Sequence, residues 1–150
     1  MDILKSKIRD IKYGDNFKVI DPVNLYECTF GDNVFIGPFV EITKGVEVGD
    51  GTRVSSHSFI CELVIIGKNC FIGHGVMFTN DLFKDGKLGG AVTNWKKTNV
   101  GNNVLIGSNS TILPVNICDD VVIGAGSVIT KNIDKSGIYA GNPAKFLRDF

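Results

Sequence analysis

The sequence predicts an all-β fold: a parallel coil of short straight strands joined by tight corners, each coil stacked on the last. Three observations predict it. Stepping six residues at a time from Phe30, the chain reads Phe30, Ile36, Ile42, Val48, Val54, Ile60, Ile66, Ile72 and Phe78, every one large and apolar. In a chain that is 43% apolar, nine such hits in a row arise by chance roughly once in two thousand trials, and a fixed period of this kind marks a repeat architecture. The position after each is small or turn-forming (Gly31, Gly37, Thr43, Gly49, Ser55, Cys61, Gly67, Gly73, Thr79), and the position two before each is small or β-branched (Cys28, Val34, Val40, Val46, Thr52, Ser58, Val64, Cys70, Val76). A helix wants a period of about 3.6 and an amphipathic strand a period of about two, and neither explains a small residue at one fixed phase of six. A coil with corners does, because Gly, Asn and Asp tolerate corner backbone.

Taken in order, residues 1–18 precede the clear repeat, and Leu4, Ile8 and Ile11 read as one stripe of a short helix. Val19 and Leu25 then sit six apart with Val23 in the small slot, but Leu25 to Phe30 is only five, which predicts a distorted first coil. From Phe30 the beat is strict, with corner tetrapeptides FGDN, VGDG and IGKN at 30–33, 48–51 and 66–69. Three such units make a coil, rising about 4.8 Å to the next. Residues 81–98, DLFKDGKLGGAVTNWKKT, interrupt the period with Gly86, Gly89, Gly90 and the one Trp, Trp95. Insertions in repeat arrays map to loops, often on the binding face, and Phe83 and Trp95 are costly to leave in water, so this is expected to be a functional loop. The period resumes at Val100, Ile106 and Ile112, and slips by one to Ile117 within ILPVNI, where Pro114 removes a ladder donor. It continues at Ile123 and Ile129. Residues 131–150 leave the repeat; a turn at GNPAK precedes AKFLRDF, read as one or two helical turns covering the open end of the stack.

At 150 residues the chain is expected to be a single domain spanning 1–150, with enough length for a core. Sixteen basic and sixteen acidic residues cancel, so charge offers no case for nucleic acid or an anionic membrane. The start, MDILKSKIRDIKYG, is too charged for a signal peptide and there is no long apolar run, so a cytoplasmic location is expected. The four cysteines form no CxxC pair and sit in the small slots of the repeat, which reads as core filler, with no metal expected.

The repeat resembles that of the hexapeptide-repeat acyltransferases, on the units from Phe30 to Phe78, VGNNVLIGSNSTILP (100–114), VVIGAGSVITKNI (121–133) and AGNPAKFLR (140–148). That resemblance implies a left-handed parallel β-helix with a protruding loop (81–98) and a short C-terminal cap; the handedness comes from the resemblance, since parallel crossovers are generally right-handed. The block IGAGSVITKNI followed by AGNPAK is characteristic of the coenzyme A-dependent members. FIGHGVMFTND (71–81) followed by a polar loop looks like the branch that N-acetylates nucleotide-linked amino sugars for surface polysaccharides such as lipopolysaccharide. The similarity implies a homotrimer with active sites between subunits, and acetyl-CoA lying along the C-terminal coils.

Acetyl transfer from a thioester to an amine needs an uncharged amine, donors for the oxyanion and two substrates held in line. The chain has two histidines, His57 and His74, both in corner segments expected to face outward. Residue 75 is eighteen on from His57, so His74 is expected almost directly one coil above it, and histidine is the natural general base near neutral pH. In the amino-sugar branch the Asn of the FTN segment, here Asn80, contacts the sugar's amino group. Some members of that branch lack a side-chain base, the amine entering neutral or losing its proton as it attacks. Asn cannot act as a base; it orients through its carbonyl oxygen. Asn80 is therefore expected to orient the amine, with His57 or His74 assisting. Relatives carry an Asn near 57 where this chain has His57, which fits either a true base or a different sugar. For coenzyme A, Gly107, Ser108, Ala125 and Gly126 are small enough to let a pantetheine arm approach, and Lys131, Lys145 and Arg148 are placed to meet its phosphates.

Three other readings compete. An O-acetyltransferase acting on a sugar or serine hydroxyl would make a positioned histidine obligatory, because a hydroxyl is the weaker nucleophile. A zinc hydratase on the same β-helix needs three histidine ligands, and two are present. A non-catalytic scaffold does not account for the loop with Trp95 or the terminal block.

Overall fold

The structure is a computed structural model describing residues 7–83, 86 and 94–150. Strands mostly two or three residues long alternate with corners around three faces of a prism. Face A carries Ile8–Arg9, Asn24–Tyr26, Glu41–Ile42, Phe59–Ile60, Met77–Phe78, Thr111–Ile112 and Val128–Ile129. Face B carries Lys12–Tyr13, Thr29–Phe30, Glu47–Val48, Val64–Ile66, Thr98–Val100 and Asn116–Ile117. Face C carries Lys18–Val19, Phe35–Ile36, Arg53–Val54, Phe71–Ile72, Leu105–Ile106, Val121–Ile123, Gly137–Gly141 and Ala144–Arg148. Every strand before Ala144–Arg148 pairs in parallel with a strand of a neighbouring coil, and the architecture is the left-handed parallel β-helix of hexapeptide repeats.

Register sets the length of each coil. Phe35 pairs with Arg53 and Arg53 with Phe71, a repeat of 18 residues. Ile8 pairs with Leu25 and Lys18 with Phe35, so the first coil holds 17, which is the distortion expected before Phe30. Beyond Pro114 the spacing is again 17, with Asn99 opposite Asn116 and Leu105 opposite Val122. The nine residues of the Phe30–Phe78 register all point inward, none more than 2% exposed. The small slots join them: Val34, Val40, Val46, Val64 and Val76 are buried, as are Thr52 and Ser58. Those two hydroxyls are satisfied by corner carbonyls one coil on, Thr52 Oγ1 donating to Gly67 O at 2.9 Å and Ser58 Oγ to Gly73 O at 2.8 Å.

The corners explain the turn residues. A Cβ on Gly73 would lie 2.7 Å from both Ile106 O and Ser108 N of the next coil, so the residue after each inward position is small because the coils approach closely there. The left-handed backbone falls two residues later, at Asn33 (φ 56°), Gly51 (φ 69°) and Asn69 (φ 54°). Between faces B and C the side chains also tie the stack vertically. Asp32 Oδ1 accepts the Asp15 N–H at 2.8 Å, Asp50 Oδ1 the Asp32 N–H at 3.0 Å, and Asp119 Oδ1 the Asn102 N–H at 2.7 Å. This acidic edge is engaged in its own backbone, and Lys68, 2.7 Å from Asp50, holds that carboxyl below the usual carboxylate range.

Two expectations are corrected. Ile8 belongs to the strand Ile8–Arg9 and pairs with Leu25, so the first stripe is extended chain; a helix there would leave the lower edge of face A unpaired, while Leu4 lies outside the described residues. AKFLRDF is likewise no helix. Ala144–Arg148 is a strand running antiparallel to Gly137–Gly141, with Ala140 opposite Lys145, and Phe146 meets the Tyr139 ring edge-on at 5.4 Å. The cap exists, but as a strand, because pairing satisfies backbone groups on the open edge of face C that a helix would leave bare. Among the described residues no helix is long and apolar enough to cross a membrane.

Candidate active site

The prism's three corners separate the sequence-predicted residues into groups. Asn80 lies at the corner from face A to face B, directly after the strand Met77–Phe78. Its Nδ2 donates to Glu62 O, one coil below, at 3.3 Å, and its own carbonyl accepts the Lys96 N–H at 2.8 Å. The interruption is therefore pinned on both sides: the chain leaves at Asn80 and returns at Thr98, whose N–H donates to Leu63 O at 3.0 Å. Val64–Ile66 then pairs with Thr98–Val100. Residues 84, 85 and 87–93 of the expected functional loop lie outside the described ones. Its ends, Phe83 and Trp95, join Tyr26, Thr43, Phe59, Cys61, Glu62 and Asp81 in lining a cleft of about 370 Å³ beside Asn80. Small-molecule clefts are about this size and are walled in the same way, by aromatic surface with a few polar groups. Among the described residues it is lined by two carboxylates and no cation.

The histidines occupy the corner from face C to face A, on successive coils as expected, but offset by one residue. Gly75 is the residue above His57, both in the left-handed region (φ 65° and 63°). His74 instead lies above Ser56, whose Oγ is 2.8 Å from His74 Nδ1. The His57 ring goes elsewhere, stacking on Phe39 at 4.8 Å between centroids. The two imidazoles are thus differently employed: His57 packs on an aromatic, while His74 is oriented by a hydroxyl and lines a second cleft. Directly above come two of the residues proposed for coenzyme A. Ser108 Oγ accepts the His74 N–H at 3.2 Å, and the Gly126 N–H donates to Ser108 O at 2.8 Å. Gly107, Ser108, Ala125 and Gly126 therefore continue the same edge upward from His74, and Ala125 and Gly126 are exposed there. Lys145 and Arg148 sit on the last strand of face C. Lys131 does not join them. It follows Val128–Ile129 and so lies across face A, at Asn80's corner.

Sequence reasoning missed Ser56 beneath His74, Glu62 beneath Asn80, and Arg53. The first two were within reach, because each lies one 18-residue coil below its partner. Arg53, whose guanidinium lies 3.9 Å from the Phe35 ring centroid, was within reach by the same step, since Phe35 lies 18 residues before it.

The cysteines keep the role of core filler. All four are free thiols, and burial pushes the Cys28 and Cys61 thiols up to about 11. The reactive thiolate is scarce below that value, so iodoacetamide at pH 8 is expected to label these two in the native protein roughly a hundredfold more slowly than in the unfolded chain. Rapid native labelling of Cys61 would mean that it is an available nucleophile in the Asn80 cleft.

Comparison with known proteins fits this geometry. A family profile for the hexapeptide repeat of succinyl-transferase matches residues 63–77 and 97–131, and one for bacterial transferase hexapeptides matches 27–62. The chain belongs to the hexapeptide-repeat family. Among curated relatives, the bifunctional protein GlmU of Limosilactobacillus fermentum is 42% identical over 110 residues, 73% of this chain and 22% of that protein. The GlmU of Clostridium beijerinckii is 37% identical over 151 aligned residues, 97% of this chain and 30% of its own length. The chain thus spans less than a third of these relatives. Among solved structures, a point mutant of AntD, an N-acyltransferase from Bacillus cereus, in complex with dTDP and coenzyme A, superposes with a TM-score of 0.78 at 20% identity, covering 92% of this chain and 83% of that one. PerB from Caulobacter crescentus, in complex with CoA and GDP-perosamine, gives 0.69 at 19% identity, covering 95% and 58%.

Proposed function

We propose that the protein transfers the acetyl group of acetyl-CoA to the amino group of a nucleotide-linked (UDP- or dTDP-) amino sugar. The observation that carries this is the orientation of Asn80. Its amide nitrogen is committed to the Glu62 carbonyl, which leaves Oδ1, an acceptor with no partner among the described residues, for the amine N–H. The acidic, aromatic-walled cleft beside it suits a group that is cationic in water and must be positioned before it attacks. The neutral amine attacks the thioester carbonyl carbon, a C–N bond forms, and collapse of the oxyanion expels the coenzyme A thiolate. The proton lost from nitrogen passes to His74, held by Ser56, or to the departing thiolate.

Asn80 and the His74–Ser108–Ala125 edge occupy different corners of one chain, so a second copy completes the site. A homotrimer supplies it, with acetyl-CoA along Gly107, Ser108, Ala125 and Gly126 and its phosphates near Lys145 and Arg148. The surface supports that arrangement. Faces C and A, which flank the histidine corner, turn Leu105 (44% exposed) and Met77 (40%) outward, while face B presents mostly polar residues, Thr29, Glu47, Asn99 and Asn116, beside Tyr13 and Ile65. The similarity of AntD and PerB, whose complexes hold coenzyme A with dTDP or with a nucleotide-linked amino sugar, supports both substrates.

The test is release of free thiol from acetyl-CoA against a panel of UDP- and dTDP-amino sugars, for which turnover on at least one is expected. No turnover on any would sink the proposal. The Ser56–His74 pair gives the O-acetyl reading its one specific support. His74→Ala and His57→Ala separate the two: a drop of about tenfold or less in both fits an amine, while near-complete loss in His74→Ala fits a hydroxyl acceptor.

A further inference from the structure

We propose that a second cleft, on face C beside the histidine corner, binds the diphosphate of a nucleoside diphosphate, with Arg53 as its principal cation. The proposal rests on the nucleotide-linked substrate put forward above. The cleft has a volume of about 410 Å³ and is lined by Arg53, Ser55, Ser56 and His74 together with Phe35, Phe71, Ile20, Pro38 and Gly37.

Charge separates it from the Asn80 cleft. The chain as a whole is neutral, with sixteen basic and sixteen acidic residues. Yet among the described residues the Asn80 cleft is lined by Glu62 and Asp81 and no Lys or Arg, and the face C cleft by Arg53 and no Asp or Glu. A diphosphate in the first would meet two carboxylates with no counter-charge among the described residues. In the second it meets a guanidinium that has no carboxylate partner among the described residues, whose ion pairs are Lys44–Glu27, Lys68–Asp50 and Lys135–Asp149.

Arg53 is also pre-positioned. Its guanidinium lies over the Phe35 ring at 3.9 Å, a stacking that restrains the group while leaving its N–H groups free to fork onto phosphate oxygens. Ser56 and His74, fixed on each other at 2.8 Å, add polar hydrogens on the corner side. The exposed ring of Phe71, 38% accessible, offers a surface on which a base can stack. Charge and aromatic surface within one cleft are what a nucleotide needs. The amino sugar at its other end carries the opposite charge and belongs in the acidic cleft.

The decisive measurement is calorimetric binding of UDP and dTDP to the full chain without acetyl-CoA. Arg53→Gln is expected to weaken the tighter of the two by about tenfold or more, and Arg53→Lys, which keeps the charge but loses the fork, by less. The melting temperature and the affinity for coenzyme A are expected to stay as in the wild type. The proposal is overturned if Arg53→Gln binds both nucleotides as tightly as the wild type, if it loses coenzyme A instead, or if the wild type binds neither nucleotide. Turnover separates this site from the reaction: Arg53-dependent nucleotide binding with no acetyl transfer to any amino sugar would sink the transfer reaction and leave the site standing. Transfer with an unchanged nucleotide-sugar KM in Arg53→Gln would do the reverse.

Discussion

Asn80→Ala is expected to lower kcat for amine acetylation by about a hundredfold or more and to leave the KM for acetyl-CoA nearly unchanged. The side chain holds no proton to give or take, so its contribution is geometry alone. With Nδ2 bonded to Glu62 O at 3.3 Å, the acceptor Oδ1 is oriented relative to the coil beneath, which under the proposed function is what positions the amine. Loss of that constraint returns the amine to a range of orientations. The structural cost is small, because one partly buried hydrogen bond contributes about 1 kcal/mol. The variant should therefore melt within a few degrees of the wild type, and circular dichroism checks this alongside the thiol-release rate. Asn80→Asp distinguishes orientation from simple space filling: it keeps the volume but sets a carboxylate against the Glu62 carbonyl, and should be nearly as slow as the alanine. Wild-type turnover in either variant would remove Asn80 from the chemistry.

Ile66→Asp is expected to yield a chain that does not fold. Ile66 is 1% exposed, paired with Val48 on the coil below and Val100 on the coil above, and has no cation in reach of an inward carboxylate. Burying an unpaired charge costs several kcal/mol, comparable with the whole stability of a domain this size, about 5–15 kcal/mol. Ile65→Asp is the internal control. It lies one residue away on the same strand but points outward from face B, whose neighbouring outward residues are Glu47 and Asn99, so a loss of about 1 kcal/mol is expected. A soluble, cooperatively melting Ile66→Asp, or an unfolded Ile65→Asp, would reverse the inward and outward assignments. The contrast between adjacent positions is the direct test of the six-residue beat.

The fold could be read because the repeat reports one thing many times. Every sixth residue must be large and apolar to fill the prism, and nine consecutive positions say so without exception. The two ends were harder. Ile8 and AKFLRDF carry spacings that fit a helix as well as a strand, and what decides for strand is a ladder partner 17 residues away in one case and the hairpin across GNPAK in the other. The residues of the candidate site could be named from the sequence, and the six-residue step from His74 to Asn80 sets them one corner apart. Lys131 was harder: beyond the slip at Pro114 the prism sends it to Asn80's edge and away from Lys145 and Arg148. Vertical partners within an edge depend on whether a coil holds 17 or 18 residues, and the 18-residue coil is what puts His74 above Ser56 and not above His57. Arg53 sits one 18-residue coil above Phe35, so their stacking follows from the period, but that the two line one cleft with His74 does not.

The excursion between Asn80 and Thr98 leaves no mark on the ladder around it, since Val64–Ile66 meets Thr98–Val100 rung for rung as if the chain had never departed. The free energy of closing such a detour grows only logarithmically with its length, about 0.6 kcal/mol for each doubling. The segment that carries Trp95 can therefore be lengthened, shortened or rewritten at almost no expense to the stack, while Asn80 stays anchored at its root. A scaffold built this way lets the segment after Asn80 vary while the coils below and above it stay unaltered.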